Sequence, residues 1–208
     1  MSFSTLEDFL ARAERHLDPI EGDRRLEPGG DLDLVDRAKH EFIRPAAVLI
    51  PIIPREAGPT ALLTQRPKTM AAHPGQVAFP GGKVDPVDRD EVAAALREAQ
   101  EEVGVDPSKV DLVARGANYF TGTAFQITPV IGVLSADFVP RPDPGEVADV
   151  FEAPLSFLFD TSNHRKGEAV WQGQRRTYVE MPWNGFRIWG VTAGIIQVLH
   201  NTLYATET

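Results

Sequence analysis

The sequence predicts an α/β fold, a mixed sheet held between helices as an α/β/α sandwich, and three observations predict it. Two long segments, Val92–Val103 and Val191–Leu203, carry apolar residues at helical spacing. Short apolar runs bounded by proline or glycine, such as Ala46–Ile50 between Pro45 and Pro51, read as strands. The two kinds of segment alternate along the chain, so strands and helices should be layered on one another. With 208 residues, 42% of them hydrophobic, the chain can bury one sizeable core. We therefore read 1–208 as a single domain with an N-terminal helical extension over about residues 1–44.

In chain order, Ser4 and Glu7 have the spacing of a capping box, and Leu6, Phe9, Leu10, Ala13 and Leu17 follow at helical intervals. This spacing predicts a first helix over about residues 5–17. From Asp18 to Asp33 the chain is charged and contains Pro28-Gly29-Gly30, the composition of an exposed connection. Ala46–Ile50 suits a buried strand, with Ala61–Thr64 as its partner across a turn containing Pro54, Gly58 and Pro59. In the next helix Val92, Ala95, Leu96, Ala99 and Val103 form one apolar stripe, and Gly104 stops it.

Tyr119–Phe125 reads as a glycine-permitted turn between strands. Ile127–Leu134 reads as a strand in which Pro129 marks an edge or a bulge. A late strand is expected to open at Glu146, followed by a short helix over Ala153–Phe159. Ala169–Trp171 and Thr177–Val179 flank Gly173 as a hairpin with Arg175 and Arg176 near its tip. Val191–Leu203 closes the chain as a helix with Ala193, Ile196, Leu199 and Leu203 on one face.

The helix that ends at Gly104 carries the chemistry. Glu98, Glu101 and Glu102 stand at i, i+3 and i+4 and share one face. Acids near a helix C-terminus oppose the macrodipole at a cost of about 0.3–1 kcal/mol each, and the like-charged i,i+4 pair adds roughly 0.2–0.5 kcal/mol. A bound divalent cation gives that arrangement a purpose, because hard cations take oxygen ligands and are held by one or two carboxylates plus substrate phosphates. A solvated acidic face is the commoner explanation of a glutamate run taken alone.

Composition narrows the function. A net charge of −9 argues against nucleic acid or an anionic membrane as partner, and leaves anionic substrates to be met by local cations or metal. The absence of cysteine excludes thiolate catalysis, disulfides and cysteine-ligated metals. Met1–Asp8 lacks the pattern of a secretory signal and no apolar run spans a bilayer, so a cytoplasmic protein is expected.

Arg97-Glu98-Ala99-Gln100-Glu101-Glu102-Val103-Gly104-Val105 resembles the REUxEExGU end of the Nudix box, with Gly82 as the opening glycine. Asp88 stands where that box has a glutamate, and Arg97 comes one residue later than the box places its arginine. On sequence grounds Asp88 is read only as a helix-capping residue. Leu62–Gly82, ending in Phe79-Pro80-Gly81-Gly82, resembles the signature preceding the box in the coenzyme A diphosphatase branch, except that Pro67 replaces a small residue and Ala71 an arginine. Asp85-Pro86-Val87-Asp88, Tyr119–Phe125 (with Ala124 in place of a glycine) and Ile188–Ala193 resemble further segments of that branch.

The resemblance implies a Nudix-type sandwich that hydrolyses the diphosphate of coenzyme A or an acyl-CoA with Mg²⁺ or Mn²⁺. It implies Glu98 and Glu102 as principal metal ligands, with Glu101 and the Gly82 carbonyl completing the set and Arg97 orienting an acid. Glu146 is the candidate base. Arg66, Lys68, Gly81, Gly82 and Thr121 are the candidate substrate contacts, while His73 is read as a turn residue whose imidazole satisfies nearby backbone groups. The partner would be a small-molecule nucleoside diphosphate derivative, and a homodimer is compatible with it. The alternatives are an ADP-sugar or nucleotide diphosphatase of the same fold, and a binding module of that fold without turnover.

Overall fold

The computed structural model describes residues 3–30, 43–70, 73–171 and 174–204. Helix α1 (Leu6–His16) is capped by Thr5, whose hydroxyl oxygen accepts from Asp8 N at 3.1 Å. The cap therefore sits one residue later than the Ser4–Glu7 pair predicts, and Ser4 instead donates its hydroxyl to the Asp8 carboxylate. The stretch after α1 is not simply exposed. Leu17 is buried and Asp18 is fully buried. Asp18 and Arg115 exchange backbone hydrogen bonds of 3.0 and 2.8 Å, and the Asp18 carboxylate accepts from Arg25 N and Leu26 N. The Arg115 side chain donates to the carbonyls of Pro19 and Gly22. A polar knot thus ties the N-terminal segment to the sheet, and its short strand β1 (Gly29–Gly30) joins the sheet itself.

Strands β2 (Arg44–Arg55), β3 (Gly58–Gln65), β4 (Val77–Ala78) and β5 (Gly81–Lys83) lead into helix α2 (Glu91–Val103). They are followed by β6 (Asp111–Arg115), β7 (Tyr119–Phe120), β8 (Phe125–Val133), β9 (Asp149–Pro154) and the one-turn helix α3 (Leu155–Leu158). Strands β10 (Arg165–Trp171), β11 (Gln174–Trp183) and β12 (Phe186–Trp189) precede helix α4 (Val191–Tyr204). Strands β1 to β9 form one mixed sheet whose central path runs β1-β7-β8-β2-β3-β4, with β2–β8 and β1–β7 parallel and the other pairs antiparallel. Strands β10 to β12 form a separate antiparallel sheet.

Both faces of the large sheet are covered, which is why its central strands read as unbroken apolar runs. Ile50, Ile52, Leu63 and Ile131 pack on one face with α1 and α4, through Phe9, Ala13, Ile196 and Leu199. Ala47, Leu49, Leu62 and Val130 pack on the other with Val92, Ala95, Ala99 and Val103 of α2. Pro129 lies inside the sheet, opposite Val48 of β2, so the edge expected of it is absent. A register shift against β8 does occur, but at Leu112–Ala114 of β6; at Pro129 itself the chain opposite passes from β6 to β7, and Gly116 N donates to Pro129 O at 2.8 Å.

Three further boundaries differ from expectation. Glu146 lies in the turn before β9, and Ala153 and Pro154 end that strand, leaving Leu155–Leu158 as helix. The late hairpin is longer than its apolar runs suggest, pairing Arg165↔Glu180 through Trp171↔Gln174; Gly173 lies outside the described residues. A third strand follows across Asn184-Gly185, both at positive φ (44° and 86°), in a two-residue loop between Trp183 and Phe186. No helix among the described residues is long and apolar enough to cross a membrane.

Candidate active site

Helix α2 begins at Asp90, whose carboxylate accepts from Ala93 N at 2.8 Å, and ends at Gly104 in the left-handed region, φ 73°. There Gly104 N and Val105 N close back on Gln100 O and Ala99 O. The apolar stripe seats this helix on the sheet and leaves its acids toward β5. Gly81 N donates to the Glu102 carboxylate at 3.3 Å. An added Cβ at Gly82 would lie 2.4 Å from the Glu98 carboxylate, so a side chain there would have to push that carboxylate aside.

The third acid of the group arrives from elsewhere in the chain. Arg141 N donates to Val103 O at 2.9 Å and Asp143 N to Glu102 O at 3.0 Å, which docks the proline-rich loop on the end of α2. Glu146 closes a turn on Asp143 O. One carboxylate oxygen each from Glu98, Glu102 and Glu146 then lie within 4.8 Å of one another. Glu101 is not in this group. Its side chain is 54% exposed and accepts from Arg97 Nη1 at 3.0 Å.

Arg97 is the hub beside the acids. It donates to both oxygens of Asp88 at 3.0 Å, to Glu98 Oε1 at 3.0 Å and to the Lys83 carbonyl at 3.2 Å. Asp88, 4% exposed, does not cap α2, because Asp90 does. It grips Arg97 with both oxygens and accepts Asp85 N at 2.8 Å. A fork-to-fork pair of this kind fixes the guanidinium plane, and so the oxygen that Glu98 turns to it. Sequence reasoning missed this role; the signal was the acid at the box's glutamate position.

The family model described as the NUDIX domain matches residues 43–171, more than half of the chain. The chain belongs to the Nudix family. It is similar to the Nudix hydrolase NudL of Enterobacter sp. (strain 638), described as uncharacterized, with 40% identity over 94% of this chain and 93% of the relative. NudL of Escherichia coli (strain K12 / DH10B), described in the same way, is 41% identical over 75% of this chain and 81% of its own length. Among solved structures, a C. elegans Ap4A hydrolase aligns at a TM-score of 0.46 and 21% identity, covering 52% of this chain and 79% of the other. By the family model and these relatives the chain is a Nudix hydrolase, and its fold is the mixed-sheet sandwich described above.

Nudix hydrolases generally need divalent metal ions, and the donor set here fits one. Burial pushes the Glu102 carboxyl up to about 7; the Gly81 N–H and the Arg66 charge pull it down, while Glu98 and Glu146 push it further up. Burial also raises Glu98, against the opposing pull of Arg97. Three hard oxygen donors meet here, and burial raises two of them, Glu98 and Glu102; a divalent cation would supply the positive charge that favours their ionised form. By contrast, the Arg97 hydrogen bonds hold Asp88 below the usual carboxylate range.

Arg66, whose charge acts on Glu102, also lines a cavity of about 860 Å³. Phe79, Thr121, Tyr178 and Trp189 share its wall, and the three acids do not. Arg66 Nε is buried and has no hydrogen-bond partner among the described residues. Lys68 is exposed and is not part of the cavity wall. Thr121 faces the cavity, but its hydroxyl is occupied with its own turn, accepting from Phe125 N at 3.1 Å and sharing a hydrogen bond with Thr123. In that turn Ala124 adopts φ 61°, the conformation for which a glycine is usual at this place. His73 is an exposed turn residue at φ 54°, and its carbonyl accepts from Gln76 N. Ala71 lies outside the described residues.

Proposed function

We propose that this Nudix hydrolase, acting as a single cytoplasmic domain, adds water across the diphosphate bond of coenzyme A or an acyl-CoA. The products are adenosine 3′,5′-bisphosphate and the 4′-phosphopantetheine derivative. One observation carries the reading. The three separated segments that resemble the coenzyme A branch, Leu62–Gly82, Tyr119–Phe125 and Ile188–Ala193, contribute Arg66 and Phe79, Thr121 and Phe125, and Trp189 and Thr192 to one cavity wall.

Glu98, Glu102 and Glu146 would hold Mg²⁺ or Mn²⁺, supported by their carboxylate spacing. The bound ion neutralises diphosphate charge and makes its water more acidic. Arg66 would pair with diphosphate oxygens. Glu146 would use its second oxygen to take the proton of the attacking water. Arg97, locked by Asp88 and Glu101, would aim Glu98, so Glu101 acts through Arg97. Gly81 would orient Glu102 through its N–H, and Gly82 would leave the space beside Glu98 open. Product analysis by mass spectrometry, over CoA, dephospho-CoA, ADP-ribose, NADH and dNTPs with Mg²⁺ and Mn²⁺, tests the reading. We expect adenosine 3′,5′-bisphosphate from CoA. A kcat/KM for ADP-ribose above that for every CoA species would make this an ADP-sugar diphosphatase, and no turnover of any would make it a binding module.

Asp88 would be a positioning residue. Asp88→Asn, which keeps the shape but removes one acceptor oxygen from Arg97, should raise the Mn²⁺ concentration needed for half-maximal rate by about 10–100-fold, the range for outer-shell partners of metal ligands. Asp88→Glu, which keeps both oxygens, should recover part of that loss. An unchanged metal dependence in Asp88→Asn would remove Asp88 from the site.

A further inference from the structure

Glu146 is the one member of the acid group that α2 does not carry, and the turn that presents it is built around Asp143. The sequence Asp143-Pro144-Gly145-Glu146 opens as a tight turn does, with an acid whose side chain can fold back on the backbone and then a proline whose φ is preset. Asp143 O accepts from Glu146 N at 3.1 Å and from Val147 N at 2.8 Å. Asp143 Oδ1 accepts from Gly145 N at 2.7 Å, and an added Cβ at Gly145 would lie 3.2 Å from that oxygen. The N–H of Asp143 donates to Glu102 O at 3.0 Å. One residue thus closes the turn from three sides and pins it to the backbone of Glu102.

Beyond the turn, Val147 is buried, and Ala148 N donates to Gln65 O at 2.8 Å, one residue before Arg66. The turn therefore bridges the end of α2 and the strand that leads to the cavity's arginine. Residues 141–146 are all exposed, so hydrogen bonds rather than core packing set the shape of this stretch. The Asp143 carboxylate is not in the group whose oxygens lie within 4.8 Å of one another. Its route to a metal ion runs through the backbone that carries Glu146.

We propose that Asp143 is a positioning residue of the metal site: by holding Gly145 N, its carboxylate sets the turn that brings Glu146 to Glu98 and Glu102. This rests on the reading above in which Glu146 holds the metal, and not on the identity of the substrate. The probe is Mn²⁺ alone, followed by electron paramagnetic resonance, in wild type, Asp143→Ala, Asp143→Asn, Glu146→Gln and the double variant of Asp143→Ala with Glu146→Gln. Circular dichroism checks that each is folded. Asp143→Ala, which loses the acceptor, should weaken Mn²⁺ roughly tenfold, the low end of the range for groups that act behind metal ligands. Asp143→Asn keeps an oxygen for Gly145 N and should recover most of that loss. In the double variant the loss of Asp143 should add almost nothing to that of Glu146, a non-additivity that a purely structural role would not produce. Wild-type affinity in Asp143→Ala beside a weakened Glu146→Gln overturns the role of Asp143 and leaves the metal reading standing. Equal losses in Asp143→Ala and Asp143→Asn overturn it in favour of the carboxylate's charge, and additive losses in the double variant overturn it in favour of a route apart from Glu146. Wild-type affinity in Glu146→Gln overturns the metal reading, and the role of Asp143 with it.

Discussion

Glu98→Gln and Glu102→Gln should each lower kcat by at least about a hundredfold, because loss of a mere outer-shell partner already costs 10–100-fold and these acids are proposed to touch the metal. Each substitution keeps the side-chain shape and removes one charge from a group whose carboxylate oxygens lie within 4.8 Å of one another. The fold should survive, since for both acids burial outweighs what Glu98 gains from Arg97 and what Glu102 gains from the Gly81 N–H and Arg66. Steady-state kinetics at saturating Mg²⁺, with circular dichroism to check folding, decides the matter. Near-normal kcat in either folded variant would sink the metal assignment.

The second large effect is on stability. Glu102 is 3% exposed, and burial holds its carboxyl at about 7 in the folded chain, above its ordinary 4.5. The folded state therefore binds more protons than the unfolded state between those values, and stability falls as pH rises through that window. Ionising Glu102 should cost the metal-free protein at most about 3 kcal/mol by pH 8, with Glu98 shifting in the same sense. Asp88 and Glu152, held low by Arg97 and Arg55, act oppositely, and their contribution is lost at more acid pH. Urea unfolding in EDTA should therefore show a wild type weaker at pH 8 than at pH 5, and a Glu102→Gln variant with a visibly smaller difference. Identical pH dependence in the two proteins would mean that Glu102 ionises without penalty. Divalent cation should restore the wild type at pH 8 by mass action.

The helix that carries the acids was legible because everything that makes it is local. Its apolar stripe from Val92 to Val103 and its stop at Gly104 need only neighbours three or four residues away. The buried strands were legible for a related reason, since Ala46–Ile50 and Ala61–Thr64 are covered on both faces and carry no polar alternation. Which acids meet was not legible. Helical spacing put Glu101 on the face of Glu98 and Glu102, but the 24%-exposed Arg97 draws it aside. Glu146 joins them only because a loop far along the chain docks on Val103 O and Glu102 O. Asp88 was obscured by Asp90, a better-placed cap two residues on. One feature was present and unread: Asn184-Gly185 is a strong hairpin signal, and it builds the third strand of the sheet that walls the cavity.

Mn²⁺ binding followed by electron paramagnetic resonance, in wild type, Glu146→Gln and Glu101→Gln, tests most directly whether Glu98, Glu102 and Glu146 form the metal site. Glu146 contributes an oxygen to the group and Glu101 contributes a hydrogen bond to Arg97. Glu146→Gln should weaken Mn²⁺ by more than about a hundredfold, and Glu101→Gln, acting from the outer shell, by no more than the roughly 10–100-fold of such partners. A Glu146→Gln protein that binds Mn²⁺ as tightly as wild type, beside a Glu101→Gln protein that does not, would contradict the assignment and return the third ligand to the helix.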